Sequence, residues 1–165
     1  MLIKKLDIVP LEVIVRNRAA GSFVKRYAAT EEIIFKGPTF EFSYKRDDLG
    51  DPLINDSRAI AMELATPEEI AHIKSTALQI NDLLKAFFAE RGITLVDFKL
   101  EFGKHKGEIL LGDEISPDTC RFWDAKTGER LDNDRCRLSR GGVEEAKRNR
   151  IEKAPSHIIN TILWP

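Results

Sequence analysis

The stretch VDFKLEFG, residues 96–103, sets Asp97, Lys99 and Glu101 at alternate positions. Alternate side chains of an extended strand share a face, so these three project from one side and Val96, Phe98, Leu100 and Phe102 from the other. The apolar side reads as core. The charged side, two carboxylates flanking an ammonium, has two readings. One is a solvated face whose charges balance. The other comes from the partner strand. With residues 103–107 taken as a five-residue turn, Phe102 pairs with Glu108 and Asp113 falls opposite Asp97. Like charges directly opposite destabilise a sheet unless a cation lies between them. Mg²⁺ suits such a place, because it takes one or two carboxylates and fills its shell with phosphate oxygens. Glu114 and Asp118 add nearby acid, which loop solvation also explains.

A second constellation is VRNRAAGS, residues 15–22. A small-residue turn entering a helix presents backbone N–H groups to an anion, and Arg16 adds a forked donor that suits phosphate. A plain structural turn explains the same residues. Arg121 and the trio Arg135, Arg137 and Arg140 are further phosphate candidates, or surface charge paired with Asp132 and Asp134. His72, His105 and His157 have no spaced acidic or thiol partner, and no GxSxG, GxGxxG or Walker-type loop occurs. Mg²⁺, phosphate and a carboxylate-lined cleft together describe a phosphoryl-transfer environment.

The elements that must position these groups follow from pattern. Leu11 to Val15 reads as a strand, and Phe23 to Tyr27 as a short helix with Ser22 as its N-cap. Two strands are expected around Glu32 to Phe35 and Phe40 to Lys45, parted by Gly37-Pro38. Residues 46–55, RDDLGDPLIN, form a polar loop. Thr66 to Arg91 is the clearest helix: Thr66 caps it, Pro67 takes the first helical position, Glu69 completes a capping box, and Gly92 ends it. Its stripe of Ile70, Ile73, Ala77, Ile80, Leu84 and Phe87 faces the core. Leu95 to Phe102 and Glu108 to Asp113 make a hairpin, followed by a short strand at Cys120 to Trp123. The expected fold class is α+β, a mostly antiparallel sheet with the long helix packed on it.

Composition removes other functions. The 165 residues are 42% hydrophobic and 32% charged, which supports a core and excludes a disordered chain. The formal net charge of −1 argues against nucleic-acid binding through a global positive field. No apolar run reaches the ~18 residues of a membrane span, and the opening MLIKKLDIVPLEVIV is broken by Asp7, Pro10 and Glu12, unlike a signal peptide. Cys120 and Cys136 show neither zinc-ligand nor disulfide-scaffold spacing, which suits a reducing cytoplasm.

VRNRAAGSFVKR, LGDPLIN, GITLVDFKLEFG, and GEILLGDEISPDTCRFWD followed by LDNDRCR resemble SAICAR synthetase, the phosphoribosylaminoimidazole-succinocarboxamide synthase family of purine biosynthesis. The likeness runs from about residue 2 to residue 146, several motifs in the same order. It implies the central and C-terminal part of an ATP-grasp-like fold, in a domain spanning 1–146. It also implies ATP-dependent joining of L-aspartate, through its amine, to the carboxylate of carboxyaminoimidazole ribonucleotide, by way of an acyl phosphate. By similarity Glu101 and Asp113 would hold Mg²⁺ and the nucleotide. Arg16, Ser22 and Arg121 would hold the substrate phosphate. Asp97, Lys99 and Arg137 would face the substrates, with Asp97, Lys99 and Asp113 closest to the chemistry. Asp51 would lie near the imidazole carboxylate.

Two differences from the family set further expectations. Its N-terminal β-rich lobe, with a Gly-Lys-Ala-Lys segment over the ATP phosphates, has no counterpart in this sequence. Residues 147–165, KRNRIEKAPSHIINTILWP, do not resemble its closing amphipathic helix. Asn133 and Cys136 stand where a lysine and a phenylalanine are more usual. A chain that binds the phosphoribosyl ligand without turnover is therefore the alternative to a working ligase. The apolar end either is a disordered terminus or folds over uncovered surface or against a second copy. Weak ATP affinity and a tendency towards a homo-oligomer are the expectations.

Overall fold

The computed structural model describes residues 4–31, 33–116 and 118–131. In chain order it runs β1 (Asp7–Arg18), α1 (Ser22–Tyr27), β2 (Ile34–Tyr44), a 3-10 turn (Asp47–Leu49), β3 (Leu53–Ile54), α2 (Asp56–Ala61), α3 (Pro67–Ala89), β4 (Ile93–His105), β5 (Glu108–Leu111) and β6 (Cys120–Asp124). The strands form one sheet in the order β3-β2-β1-β4-β5. Strand β6 pairs with the first half of β4 and β5 with its second half, and every pairing is antiparallel. This is the α+β architecture expected. The charged segment after Leu131, with Arg135, Arg137 and Arg140, and the apolar tail lie outside the described residues.

One face of the sheet packs on α3. Val13 and Val15 of β1, Phe42 of β2, and Phe98, Leu100 and Phe102 of β4 are buried with Ile73, Ala77, Ile80 and Leu84. Helix α3 begins as its sequence dictates. Thr66 Oγ1 accepts from the Glu69 amide at 3.2 Å, and Glu69 Oε2 accepts from the Thr66 amide at 2.9 Å. At the far end the stripe drifts, as a 3.6-residue period must, and Phe88 rather than Phe87 enters the core, 4.4 Å from the Phe122 ring.

Several expectations are corrected. Glu32 to Phe35 and Phe40 to Lys45 are not two strands. Strand β2 runs unbroken through Gly37-Pro38, which lie where its register against β1 slips, between the Arg16–Thr39 and Arg18–Ile34 pairs, and outside the two residues that β3 pairs, a place where a strand tolerates proline. Ser22 is not a cap: Gly21 holds that position without a side-chain bond, and Ser22 is the first helical residue. The loop 46–55 contains the 3-10 turn and the two residues of β3, and Asn55 caps α2 by accepting from the Arg58 amide at 3.0 Å.

The hairpin turn is two residues, not five. Lys106 and Gly107 both have positive φ, 50° and 86°, the requirement of the turn whose twist matches flanking strands. His105 therefore pairs with Glu108 and Phe102 with Leu111, so the pairing of Asp113 with Asp97 does not form. The residues opposite Asp97 are Arg16 on β1 and Arg121 on β6. Val96 also departs from the alternation. The register of β4 against β6 slips between Leu95 and Asp97, a β-bulge, so Leu95 takes the core place and Val96 packs with Ala20 and Trp123 instead.

Candidate functional site

The face of the sheet away from α3 carries the polar residues, in rows set by the register. Ser43, Glu12 and Glu101 form one row, Glu41, Ile14 and Lys99 the next, and Thr39, Arg16, Asp97 and Arg121 the third. Two charged centres result, one at each end of the Asp97–Glu101 segment.

At the Asp97 end, a chain of alternating charge crosses four elements. Arg16, 2% exposed, donates through Nη1 to Asp97 Oδ2 at 2.5 Å and through Nε to Glu41 Oε2 at 3.1 Å. Its Nη2 donates to Ser22 Oγ at 2.9 Å, and Nη1 also lies 3.5 Å from the Ala20 carbonyl. Arg121 Nη1 donates to both oxygens of Asp97, at 3.0 and 2.9 Å. Burial pushes the Asp97 carboxyl above its ordinary value, and the charges of Arg121 and Arg16 oppose that push. The close packing depends on Gly21, with φ 54° and ψ −124°: a Cβ there would meet Arg121 Cζ at 2.7 Å. Helix α1 has six residues, and the Phe23 amide already donates to the Ala20 carbonyl at 3.1 Å, so the polar groups gathered here are those of side chains.

At the Glu101 end, carboxylates gather round lysines. Lys45 Nζ donates to Glu101 Oε1, and Lys99 Nζ to Glu12 Oε1 at 2.8 Å. The Gly112 amide donates to the Glu101 carbonyl at 2.8 Å, which brings Asp113 alongside. The bond to Glu101 holds the Lys45 ammonium above its ordinary pKa, and the charges of Glu101, Glu12 and Asp113 add to it. Three carboxylates thus share one local field. Asp51, at φ 48°, accepts from the Arg46 amide at 2.8 Å, and its carbonyl accepts from Ser43 Oγ, which ties it beside Glu12's row.

The donor set tests the fit of Mg²⁺. No group of three or more His, Cys, Asp or Glu among the described residues is arranged to hold a metal ion. Glu101 and Asp113 are hard oxygen donors, and two carboxylates are what Mg²⁺ takes when phosphate oxygens and water complete its shell. The residues fit a metal that arrives with a polyphosphate. Cys120 takes no part: it is buried, and burial pushes its thiol up to about 12.

Arg16, Ser22, Asp97 and Arg121 are thus brought together, while Lys99 lies two and Glu101 four residues further along β4, with Asp113 beside Glu101. Arg137 lies outside the described residues. Three participants went unnoticed in the sequence: Glu12, Glu41 and Lys45. Their signal was the same period of two found in VDFKLEFG. Glu12, Ile14 and Arg16 alternate with Val13 and Val15, and Glu41, Ser43 and Lys45 with Phe42 and Tyr44. A cavity of about 480 Å³ adjoins the Asp97 end, lined by Phe23, Tyr27, Phe40, Glu41, Arg58 and Lys74 among others. No helix among the described residues is long and apolar enough to cross a membrane.

The sequence profile of SAICAR synthetase matches residues 1–154. The chain is 61% identical over 146 residues to the phosphoribosylaminoimidazole-succinocarboxamide synthase of Chlorobaculum tepidum, covering 88% of this chain and 62% of that protein. The fold is similar to a SAICAR synthetase (Type-2) solved in complex with ADP, with a TM-score of 0.83 and 50% identity over 89% of this chain and 64% of that one. It is also similar to the phosphoribosylaminoimidazole-succinocarboxamide synthase of Ehrlichia chaffeensis, with a TM-score of 0.84 and 44% identity over 92% of this chain and 67% of that one. The chain spans about 62% of the length of the curated relatives it matches.

Proposed function

The chain belongs to the SAICAR synthetase family, and from that membership we propose that it serves an ATP-dependent carbon–nitrogen ligation in purine biosynthesis. The substrates in this reading are L-aspartate and carboxyaminoimidazole ribonucleotide, and the products are SAICAR, ADP and phosphate. The observation that carries the reading is the juxtaposition on β4. An arginine-rich seat at Asp97 and a carboxylate cluster at Glu101 share one face, four residues and so ~13 Å apart along the strand. A ligand with a phosphate at one end and a carboxylate at the other could engage the arginines at the first centre and, at the second, Lys45 and Lys99 or a metal ion held by the carboxylates.

In this reading Arg121 and Ser22, backed by Arg16, take the ribose phosphate through charge-assisted hydrogen bonds. Glu101 and Asp113 hold Mg²⁺ with the nucleotide. Mg²⁺, when bound, neutralises phosphate charge and acts as a Lewis acid. Lys45 and Lys99, now paired with Glu101 and Glu12, are the cations within reach of an anionic ligand arriving at that end. Asp97 holds both arginines in place, Lys99 faces the substrate carboxylate, and Asp51 lies beside it. The chain's own contribution is orientation and fixed charge, which suits a reaction whose electrophile is made by phosphoryl transfer.

The test is an ADP-release assay on the 165-residue chain with ATP, Mg²⁺, L-aspartate and the imidazole carboxylate ribonucleotide. ADP release that requires all components supports the ligase. Binding of the ribonucleotide without ADP release supports a binding role alone, and failure to bind it overturns both.

A further inference from the structure

The Arg16 guanidinium is held from three sides, and one of the three holders has no place in the reading above. Asp97 receives a single bond from Arg16, at Oδ2, an oxygen that also accepts from Arg121. That bond and the longer approach to the Ala20 carbonyl both go through Nη1, and a guanidinium tied at one nitrogen can still roll about it. Glu41, 13% exposed on the neighbouring strand β2, receives the Nε–H and supplies the second fixed direction. With Nε and Nη1 both tied, Nη2 has one remaining direction, and Ser22 Oγ lies there at 2.9 Å. A hydroxyl that accepts from an arginine has its proton left to give, since Oγ carries one donor and two acceptor positions. Ser22 is exposed, so that proton is available to a phosphate arriving from solvent.

We propose that Glu41 is a positioning residue of this seat: it locks the roll of Arg16 and thereby makes Ser22 a hydrogen-bond donor to a bound phosphate. The proposal rests on the reading that this end receives the substrate's phosphate. Glu41 itself touches no ligand. Its negative charge, taken alone, opposes an anion. Position and charge therefore predict opposite effects when Glu41 is changed, which makes the idea testable.

The experiment is calorimetric titration of ribose 5-phosphate into the full chain, with ribose as the control and circular dichroism as the check on folding. Glu41→Ala is expected to weaken binding about tenfold, the loss of one charge-assisted contact to the phosphate. Glu41→Gln, whose Oε1 still accepts from Nε, is expected to keep binding within about threefold of the original, a span of under 1 kcal/mol. Ser22→Ala should weaken binding as much as Glu41→Ala, and the double variant no more than either, because both act through the same proton. If Glu41→Ala does not fold, Glu41→Asp, one methylene too short to reach Nε, takes its place. Binding unchanged or tighter in Glu41→Ala overturns the proposal, as does a Glu41→Gln as weak as Glu41→Ala, or losses that add in the double variant. Those results leave the phosphate seat standing. A wild-type chain that binds ribose 5-phosphate no better than ribose overturns the seat and this proposal together.

Discussion

Gly21 and Arg121 press together so closely that each restricts the other. A Cβ at residue 21 would lie 2.7 Å from the guanidinium, in a backbone conformation of positive φ that side chains rarely adopt. Gly21→Ala should therefore lower stability by about 1–3 kcal/mol and push Arg121 off Asp97, read as a fall in melting temperature and in ribose 5-phosphate affinity. Adding Arg121→Ala should relieve the contact but not the backbone strain, so the melting temperature recovers only in part. The two charged ends make a second pair of expectations. Asp113→Asn removes a carboxylate while Arg16 and Arg121 remain, so it should weaken Mg²⁺-nucleotide binding more than phosphate binding. Arg121→Ala should do the reverse, with a loss on the order of 1.5–3 kcal/mol. Parallel titrations with Mg-ADP and ribose 5-phosphate check both, and equal losses in both ligands would remove the distinction between subsites.

Helix α3 is tied to the sheet at its first turn, where Glu69 does two jobs. It closes the capping box with Thr66 and accepts from Lys104 of β4 at 2.8 Å. The Lys104 bond holds the Glu69 carboxyl below its ordinary value of 4.5, the Thr66 amide adds to that, and partial burial opposes it. A carboxyl lowered in the folded state contributes stability that is complete above its unfolded value and fades as pH falls through the folded one. Glu69→Ala should cost about 1 kcal/mol at neutral pH, and its melting temperature should converge on the wild type's as pH drops below that window. A gap that persists to pH 2 would assign the cost to packing instead. This helix was legible in the sequence because its signals are local: a cap, a proline and a 3.6-residue stripe. The hairpin was legible only as a hairpin. Its register turns on whether Lys106 accepts positive φ, and lysine does not advertise that as asparagine does. The bulge at Val96 was equally hidden, since it arises where β6 meets β4 and no run of residues within β4 encodes it.

At the scale of the whole molecule the described chain is one-sided: α3 seals one face of the sheet with apolar side chains, and the other face is held by charge. That division was written in β4 and in the alternations of β1 and β2, but only the β4 alternation and the α3 stripe were read as core, and there Leu95 and Phe88 take the places expected of Val96 and Phe87. The electrostatics were not foreseen, because Arg16 and Asp97 are 81 positions apart and their burial depends on strands meeting. Neighbouring substitutions on β4 test the division. Leu100, 1% exposed, points into the α3 face, so Leu100→Ala removes buried volume and should cost about 2–5 kcal/mol. Lys99, its neighbour, has a half-exposed side chain paired with Glu12, and exposed pairs contribute under about 1 kcal/mol. Lys99→Ala should therefore leave the urea midpoint almost unmoved while abolishing ADP release, if the chain releases ADP, or weakening ribonucleotide binding if it does not. Leu100→Ala should lower the midpoint sharply yet retain ligand affinity in the folded fraction. Equal losses of stability from the two would mean that the polar face supports the fold as much as the core does. Face and function would then not be separable along this strand.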